Sequence, residues 1–489
     1  MNGSAPKYTT GLIEKCSDTS PLHGVLYTVV NRVLACYPLQ NKPKGGRTTP
    51  IGPVARKERI NSLDALRGLA LLGILPANVL VFGLYFAAEN DPTVAGGAAA
   101  GWNLACWVLF RILIAGKMRA LFSMVFGASA ILLTSRAEAR SGDSAADIYY
   151  RRNLWLLGIG LAHAFLLFWG DILYPYAVCA LILFPFRKLP AKKLIAIGVL
   201  FMAFKTGWSA VEAWRQIERR NLAAAADAAE KAGTKPTEQE SAAKQALAAQ
   251  RKLRKPPQED LEKDARQWRA APWGVIGARA NELATWQALP LYDPMFADIW
   301  SMMFMGMGLF KMGVFSAARS FRFYAWTAAL GFLVGIPLNS YDAWLALRSH
   351  FDRLTILFTN VAYDVERLPM ALAAMAVLMM LCQAGALRWL TGRLAAIGQM
   401  ALSNYILQSV VGSFVFTGYG LGLYGRLERY QLYYVVAFCW AVSLVASPIW
   451  LRHYQFGPLE WCWRSLTYWK RQPMRIGRPM GAAAREAAV

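Results

Sequence analysis

Residues 64–86 read DALRGLALLGILPANVLVFGLYF, a run whose only charges, Asp64 and Arg67, stand in its first turn. At a helical rise of about 1.5 Å per residue, such a run spans the roughly 30 Å hydrocarbon core of a bilayer. Comparable runs recur near 102–135, 152–169, 173–186, 194–211, 295–314, 322–340, 366–386, 397–416 and 432–451. They predict an all-α fold, a polytopic membrane helical bundle of about ten or eleven transmembrane helices. Composition agrees: 56% of the 489 residues are hydrophobic, 17% are charged and the mean hydropathy is +0.28, more apolar than a soluble core of this length uses. The formal net charge of +23 does not indicate nucleic acid, because Lys and Arg punctuate the apolar runs and form no separate basic domain. The lipid bilayer is the expected partner.

Arg and Lys also orient the chain. Arg56, Lys57 and Arg59 precede the first run; Arg136, Arg140, Arg151 and Arg152, then Arg187, Lys188, Lys192 and Lys193, then Arg319 and Arg322, then Arg388 and Arg393 fill alternate connections. The intervening loop from Ala87 to Gly101 has no Lys or Arg, although Arg348 and Arg353 sit in outer loop 341–365. The positive-inside rule then places both termini in the cytoplasm. The organisation expected is a cytoplasmic N-terminal segment 1–58, a first transmembrane half 59–211, a charged helical extramembrane insert 212–293 on the outer side, a second transmembrane half 294–454 and a cytoplasmic C-terminal segment 455–489. No short apolar core with a cleavage site precedes the first span, so that span is expected to act as its own insertion signal. The insert reads as solvated helices over 211–221, 223–232 and 242–254, with turns at 234–236 and 256–257.

The 102–135 run is too long for one perpendicular span and is interrupted by Gly116-Lys117-Met118-Arg119. A broken or re-entrant element is expected there, and such backbone needs protein or a wet cavity around it. The seven cysteines show no CxxC or Cys/His ligand spacing, and no metal is expected. Walker, HExxH and GxSxG patterns are absent, which removes the main sequence support for ATP-driven transport and those hydrolases.

An ionisable residue inside a span costs about 2.5–3.5 kcal/mol at mid-helix, so each needs a partner, a wet cavity or a function. Asp64 and Arg67 share one face of the first span, where they can pair, and Asn78 further along offers an amide to a neighbouring helix or a ligand. Lys117 and Arg119 suit a phosphate, a carboxylate or a neighbouring acid. His163 is the side chain best suited to proton transfer near neutral pH, and Asp171 can orient it. Eight residues span about 12 Å of straight helix, so their pairing requires a break at Gly170. Towards the C-terminus lie Asn404, Gln408 and a Trp-rich segment with Glu460 and Arg464, readable as an interfacial anchor bearing a surface i,i+4 pair.

Five ordered blocks, LDALRG at 63–68 with Gly73-Ile74 and Asn78, GKMRALFSMVFG at 116–127, HAFLLFWGDILYPYA at 163–177, GQMALSNYILQS at 398–409 and GPLEWCWRSLT at 457–467, resemble the YeiB-like family of bacterial inner-membrane proteins, domain of unknown function 418. That family is distantly similar to transmembrane acyltransferases, including heparan-glucosaminide acetyltransferases and the acyltransferase-3 proteins. The resemblance implies a multi-pass inner-membrane protein that moves an acyl group from cytoplasmic acyl-CoA, acetyl-CoA among the candidates, to a small-molecule, glycan or lipid acceptor at the outer side. It implies a catalytic role for His163; on the acyltransferase reading Asp171 tunes or orients that histidine, and Asp64, Arg67, Asn78, Lys117 and Arg119 are the expected coenzyme A contacts. Tyr176, Asn404, Gln408, Glu460 and Arg464 are further polar candidates. Two other readings stay open: a transporter or flippase for an amphiphilic metabolite, and a non-catalytic membrane subunit.

Overall fold

The computed structural model describes residues 60–94, 100–141, 145–286 and 294–476. Segment 1–58 with Arg56 and Lys57, together with Arg59, residues 287–293 of the insert and residues 477–489 of the C-terminal segment, lies outside them. The described chain is helical and contains no named strand. It runs through α1 (Asn61–Gly83), α2 (Phe86–Asn90), α3 (Gly101–Leu113), α4 (Lys117–Ser141), α5 (Ala145–Leu166) and α6 (Leu173–Leu183). There follow α7 (Ala191–Lys231), α8 (Glu238–Arg254), α9 (Gln258–Trp268), α10 (Pro272–Trp286) and α11 (Pro294–Lys311). The remainder is α12 (Phe321–Arg348), α13 (Arg353–Ala384), α14 (Arg388–Gln399), α15 (Ala401–Phe416), α16 (Arg429–His453) and α17 (Pro458–Tyr468).

Among the described residues, five helices are long and apolar enough to cross a membrane: α1, α7, α12, α13 and α16. Helices α14 and α15 together make a sixth such span, bent by 84°. The other apolar runs fold as helices that are shorter or more charged. This is the build of a membrane protein. Within it α1 is central, with 67% of its apolar window buried, whereas only 11% of that of α7 is covered by protein.

Close helix crossings rest on glycine, since lipid chains are as apolar as the side chains they replace and packing rather than water exclusion draws helices together. A Cβ on Gly68 of α1 would stand 2.0 Å from the Leu394 carbonyl oxygen, and one on Gly398 of α14 would stand 1.9 Å from that of Asp64. The break expected at residues 116–119 falls between α3 and α4, where Gly116 takes φ +74° and passes the Tyr363 hydroxyl.

The helical stretches through residue 254 and both turns follow the sequence reading, α9 and α10 are helices it did not mark, and two further features depart from it. Helix α7 continues unbroken from the apolar run through residue 211 to Lys231, so no backbone boundary marks the start of the insert. The insert is also not simply solvated: Trp268 and Arg279 are buried, and Gly418 donates its N–H to the Trp268 carbonyl at 3.0 Å. Apolar and hydrogen-bonding groups on α9 and α10 therefore dock against the loop after α15.

Candidate functional site

Helix α5 stops at Leu166 because the chain turns back on itself: the N–H groups of Leu167 and Phe168 both bond to the His163 carbonyl, at 2.9 and 3.0 Å. The turn through Trp169-Gly170 brings Asp171 back beside His163. Its Oδ1 lies 2.7 Å from the imidazole Nδ1, and both residues are 3% exposed. The Oδ2 accepts the Tyr174 N–H at 2.7 Å in the first turn of α6, which fixes the carboxylate. The Tyr405 hydroxyl of α15 approaches Oδ1 at 3.4 Å and accepts the Ile172 N–H at 3.3 Å. A carboxylate at Nδ1 selects the tautomer with the proton on that nitrogen and leaves the Nε2 lone pair available. Nε2 is buried without a hydrogen-bond partner, and the ring packs against Tyr405 at 5.0 Å between centroids.

Tyr405 also lines a cavity of about 230 Å³. Its apolar wall includes Phe122, Leu156, Ile172 and Leu173, and four arginines, Arg67, Arg136, Arg152 and Arg464, line it together with the carboxylates of Asp64 and Glu460. The balance is two positive charges. Arg67 is held by Asp64 at 2.8 Å, by Ser129 Oγ at 2.9 Å and by the Gly398 carbonyl at 3.2 Å. Arg152 lies over the Trp463 ring, 3.8 Å from its centroid, while the Trp463 indole N–H bonds to the Arg152 carbonyl at 2.9 Å. Arg152 and His163 are eleven residues apart on one face of α5, about 16 Å along the axis. The cavity is thus lined by arginines and apolar side chains together, with the His163–Asp171 pair in contact with Tyr405.

Residues 309–470 match the family described as Protein of unknown function (DUF418). Across most of its length the chain is 28% identical to the uncharacterized protein YxaH of Bacillus subtilis (strain 168), over 432 residues covering 86% of this chain and 97% of that protein. It is 27% identical to the uncharacterized protein YeiB of Escherichia coli (strain K12), over 84% of this chain and 96% of that protein. The chain is thus similar to YeiB-like proteins over most of its length, and residues 309–470 carry the DUF418 match. An uncharacterized 39.9 kDa protein of Bacillus acidopullulyticus is similar at 25% identity over 87% of this chain and 98% of that protein. The DUF418 segment supplies Tyr405, Glu460, Trp463 and Arg464, whereas the His163–Asp171 pair, Arg67 and Arg152 precede it.

The other sequence candidates divide. Asp64, Arg67, Tyr176, Glu460 and Arg464 line the cavity. Lys117 and Arg119 do not, and the expectation that they join Asp64 and Arg67 in one cavity is corrected. Lys117 donates to the Arg111 carbonyl at 2.5 Å. Arg119 pairs with Asp298 at 3.0 Å, in a buried network with Lys205, Asp364, Arg367 and the Tyr363 hydroxyl. Their charge is spent on neighbouring groups. Glu460 is corrected from a surface residue to a buried one: it accepts from Leu402 N at 2.6 Å, Ser403 N at 3.1 Å and Ser403 Oγ at 2.5 Å. Asn404 is helix glue, donating to the Met400 carbonyl and to Ser447 Oγ, each at 3.0 Å.

Two amide candidates remain. Gln408, one turn after Tyr405, is buried with both amide atoms unpartnered. Asn78 lies one turn before Phe82, whose ring stacks on Phe168 at 4.2 Å. Since a Cβ on Gly412 would touch the Phe82 ring, α1 and α15 bring Asn78 and Gln408 to the same level, each one turn before this contact. Sequence reasoning missed Arg136 and Arg152, read only as topology markers, Tyr405, and Arg279 of the insert. Arg279 is 1% exposed and donates to the Leu166 carbonyl, and to Ser413 Oγ and Tyr419 Oη at 3.0 Å each.

Proposed function

We propose that this DUF418 protein is a membrane-embedded acyltransferase, moving an acyl group from acyl-CoA to a hydroxyl or amine acceptor at or beyond the outer face of the bacterial inner membrane. The proposal includes about ten crossings, cytoplasmic termini and an outer insert. One observation carries it: a single cavity reaches from four arginines to Tyr405, directly before a His–Asp pair whose Nε2 is unpartnered.

The chemistry follows from the arrangement. Arg67, Arg136, Arg152 and Arg464 suit the phosphates of coenzyme A, and guanidinium forks bind phosphate oxygens two at a time. These arginines sit on the Arg-rich side, which the positive-inside rule makes cytoplasmic. The apolar wall accommodates the acyl-bearing arm. Once Tyr405 swings aside, Nε2 of His163 takes the acceptor's proton as its oxygen or nitrogen attacks the thioester carbonyl. Asp171 stabilises the imidazolium through Nδ1–H, and the coenzyme A thiolate leaves and takes up that proton. The Gln408 and Asn78 amides supply hydrogen bonds to the acceptor or to the developing oxyanion.

The test is release of free thiol from acetyl-CoA and longer acyl-CoAs by the purified full chain in nanodiscs, with a bacterial envelope extract as the source of acceptor. Wild type should turn over, and His163→Gln should lose about 10²–10⁴-fold in rate while binding acyl-CoA as before, because glutamine keeps a hydrogen bond but is no base. Undiminished turnover by His163→Gln sinks the proposal, as does a wild-type protein that binds no acyl-CoA. A second reading, ion-coupled movement of an amphiphile, draws on the buried Asp298–Arg119–Lys205–Asp364–Arg367 network, since ionisable groups inside spans commonly mark ion pathways. Substrate movement across proteoliposomes without thiol release would favour it.

A further inference from the structure

A second pocket, of about 350 Å³, lies where the insert meets the turn between α12 and α13. It is lined by Arg220 of α7, Arg251 and Arg254 of α8, Lys255 just after α8, and Arg353, the first residue of α13. Only two carboxylates, Asp91 and Asp352, offset these five cations. Both are already engaged. Asp352 pairs with Arg220 and accepts the N–H groups of Leu354 and Thr355 at 3.0 and 3.2 Å. Asp91 accepts the Thr93 N–H at 2.9 Å and stands 4.0 Å from Lys255.

Arg251, Arg254 and Arg353 make no ion pair among the described residues. Burial, reinforced by the adjacent Arg353 guanidinium and opposed by Asp91 and Asp352, holds Arg254 below the ordinary arginine range. Arg353 is also misplaced for its helix, because a cation at the first position opposes the positive end of the helix dipole. An independent sign comes from Gln216. It is 2% exposed, lines the pocket, donates to Gln250 Oε1 at 3.1 Å and leaves its own Oε1 buried without a partner. Amide oxygen and nitrogen exchange places when the group turns over, so this pair of amides can also present an N–H donor to a ligand.

We infer that this pocket binds a phosphate-bearing ligand, held by the Arg251, Arg254 and Arg353 guanidiniums with the Gln216 amide beneath. Three guanidinium forks that line one volume without an ion pair of their own match the several oxygens of a phosphate or diphosphate better than a single carboxylate. The same chemistry belongs to an anionic phospholipid headgroup and to a soluble phosphate ester. The site is separate from the first cavity and does not depend on acyl transfer.

The probes are inorganic pyrophosphate and phosphatidylglycerol, tested on the full chain in phosphatidylcholine nanodiscs by thermal shift and by titration. Stabilisation by pyrophosphate identifies a soluble-phosphate site; stabilisation only when phosphatidylglycerol is included identifies a headgroup site. In either case Arg254→Gln and Arg353→Gln should each weaken binding about tenfold or more, the equivalent of one lost charge-assisted hydrogen bond. Arg254→Lys should retain part of the affinity, and each variant's elution as a monodisperse peak excludes misfolding. A response to neither probe overturns the site. So does a response unchanged in Arg254→Gln and Arg353→Gln but abolished in Arg152→Gln, which would move the anion to the first cavity.

Discussion

Replacing Glu460 tests the link between the C-terminal helix and the bend that positions Tyr405. Helix α15 starts after Met400 with no side-chain cap of its own, so its first N–H groups have no partner within the helix. Glu460 supplies one from α17, accepting from Leu402 N and Ser403 N as well as from Ser403 Oγ. Bonds to an ionised acceptor are worth about 1.5–3 kcal/mol each, and the positive helix end adds a few tenths to about 1 kcal/mol. Glu460→Ala leaves two buried N–H groups unsatisfied and should lose about 3–5 kcal/mol. Glu460→Gln keeps a carbonyl oxygen for those groups and loses the charge and the serine bond, about 1–2 kcal/mol. Reversible unfolding of the full chain in mixed micelles, followed by tryptophan fluorescence against sodium dodecyl sulfate, reads both values. An alanine variant within about 0.5 kcal/mol of wild type, inside the range of ordinary surface substitutions, refutes the capping role. Tyr405 lies one turn beyond this start, so both variants should also loosen its approach to Asp171 and slow any chemistry there.

Three further outcomes follow from packing and charge. Gly398→Ala should destabilise by about 3 kcal/mol or more, because its Cβ meets the Asp64 carbonyl at 1.9 Å and neither backbone can yield cheaply; Gly392→Ala in the same helix meets nothing and should be neutral or stabilising in the same unfolding assay. Arg279→Met keeps the stem of the side chain but removes the guanidinium from Leu166, Ser413 and Tyr419, and should raise proteolytic cleavage of the insert severalfold while the bundle stays intact. Burial pushes the Asp264 carboxyl above the usual carboxylate range, and the Tyr424 hydroxyl donates to it at 2.7 Å. With the folded value raised, its contribution to docking is fully present below the ordinary carboxylate value and is lost as pH rises through the raised one. Protection of α9 against hydrogen exchange, corrected for the intrinsic rise of exchange with pH, should therefore fall as pH rises above the ordinary carboxylate value, and Asp264→Asn should flatten that dependence.

The fold was legible wherever one local property decides it. Hydropathy marked the long spans because a bilayer demands an unbroken apolar run, and Gly116 marked the break because a positive φ beside the Tyr363 hydroxyl leaves no room for a side chain. The turns at 234–236 and 256–257 were legible from Gly and Pro. Docking of the insert was not. The burial of Arg279 depends on acceptors 113, 134 and 140 residues away, and nothing in the local run Ala278-Arg279-Ala280 distinguishes it from a solvated arginine.

The site shows the same limit more sharply. A charge inside an apolar run announces that it has a partner and not which one. Lys117 and Arg119 stand two residues apart and looked like one phosphate site, but one turns to the backbone of α3 and the other to Asp298 of α11. Asp298 itself sits in an otherwise apolar segment, Phe296-Ala297-Asp298-Ile299-Trp300, where a single acid says little until Arg119, Lys205 and Arg367 are seen around it. His163 and Asp171 were legible as candidates because their residue types suit proton transfer, and Gly170 between them was the only hint that eight residues close to 2.7 Å. What distinguishes that pair from the Asp298 network is the kind of atom left over. Every charge of the network faces an opposite charge and its one unpartnered atom, Arg119 Nε, can only donate, whereas the buried unpartnered Nε2 of His163 carries a lone pair that can accept a proton. Burying a polar atom without a hydrogen bond costs about 1–3 kcal/mol wherever it occurs, so the pointer to chemistry is that here the atom is an imidazole nitrogen whose ring is held by a carboxylate at Nδ1.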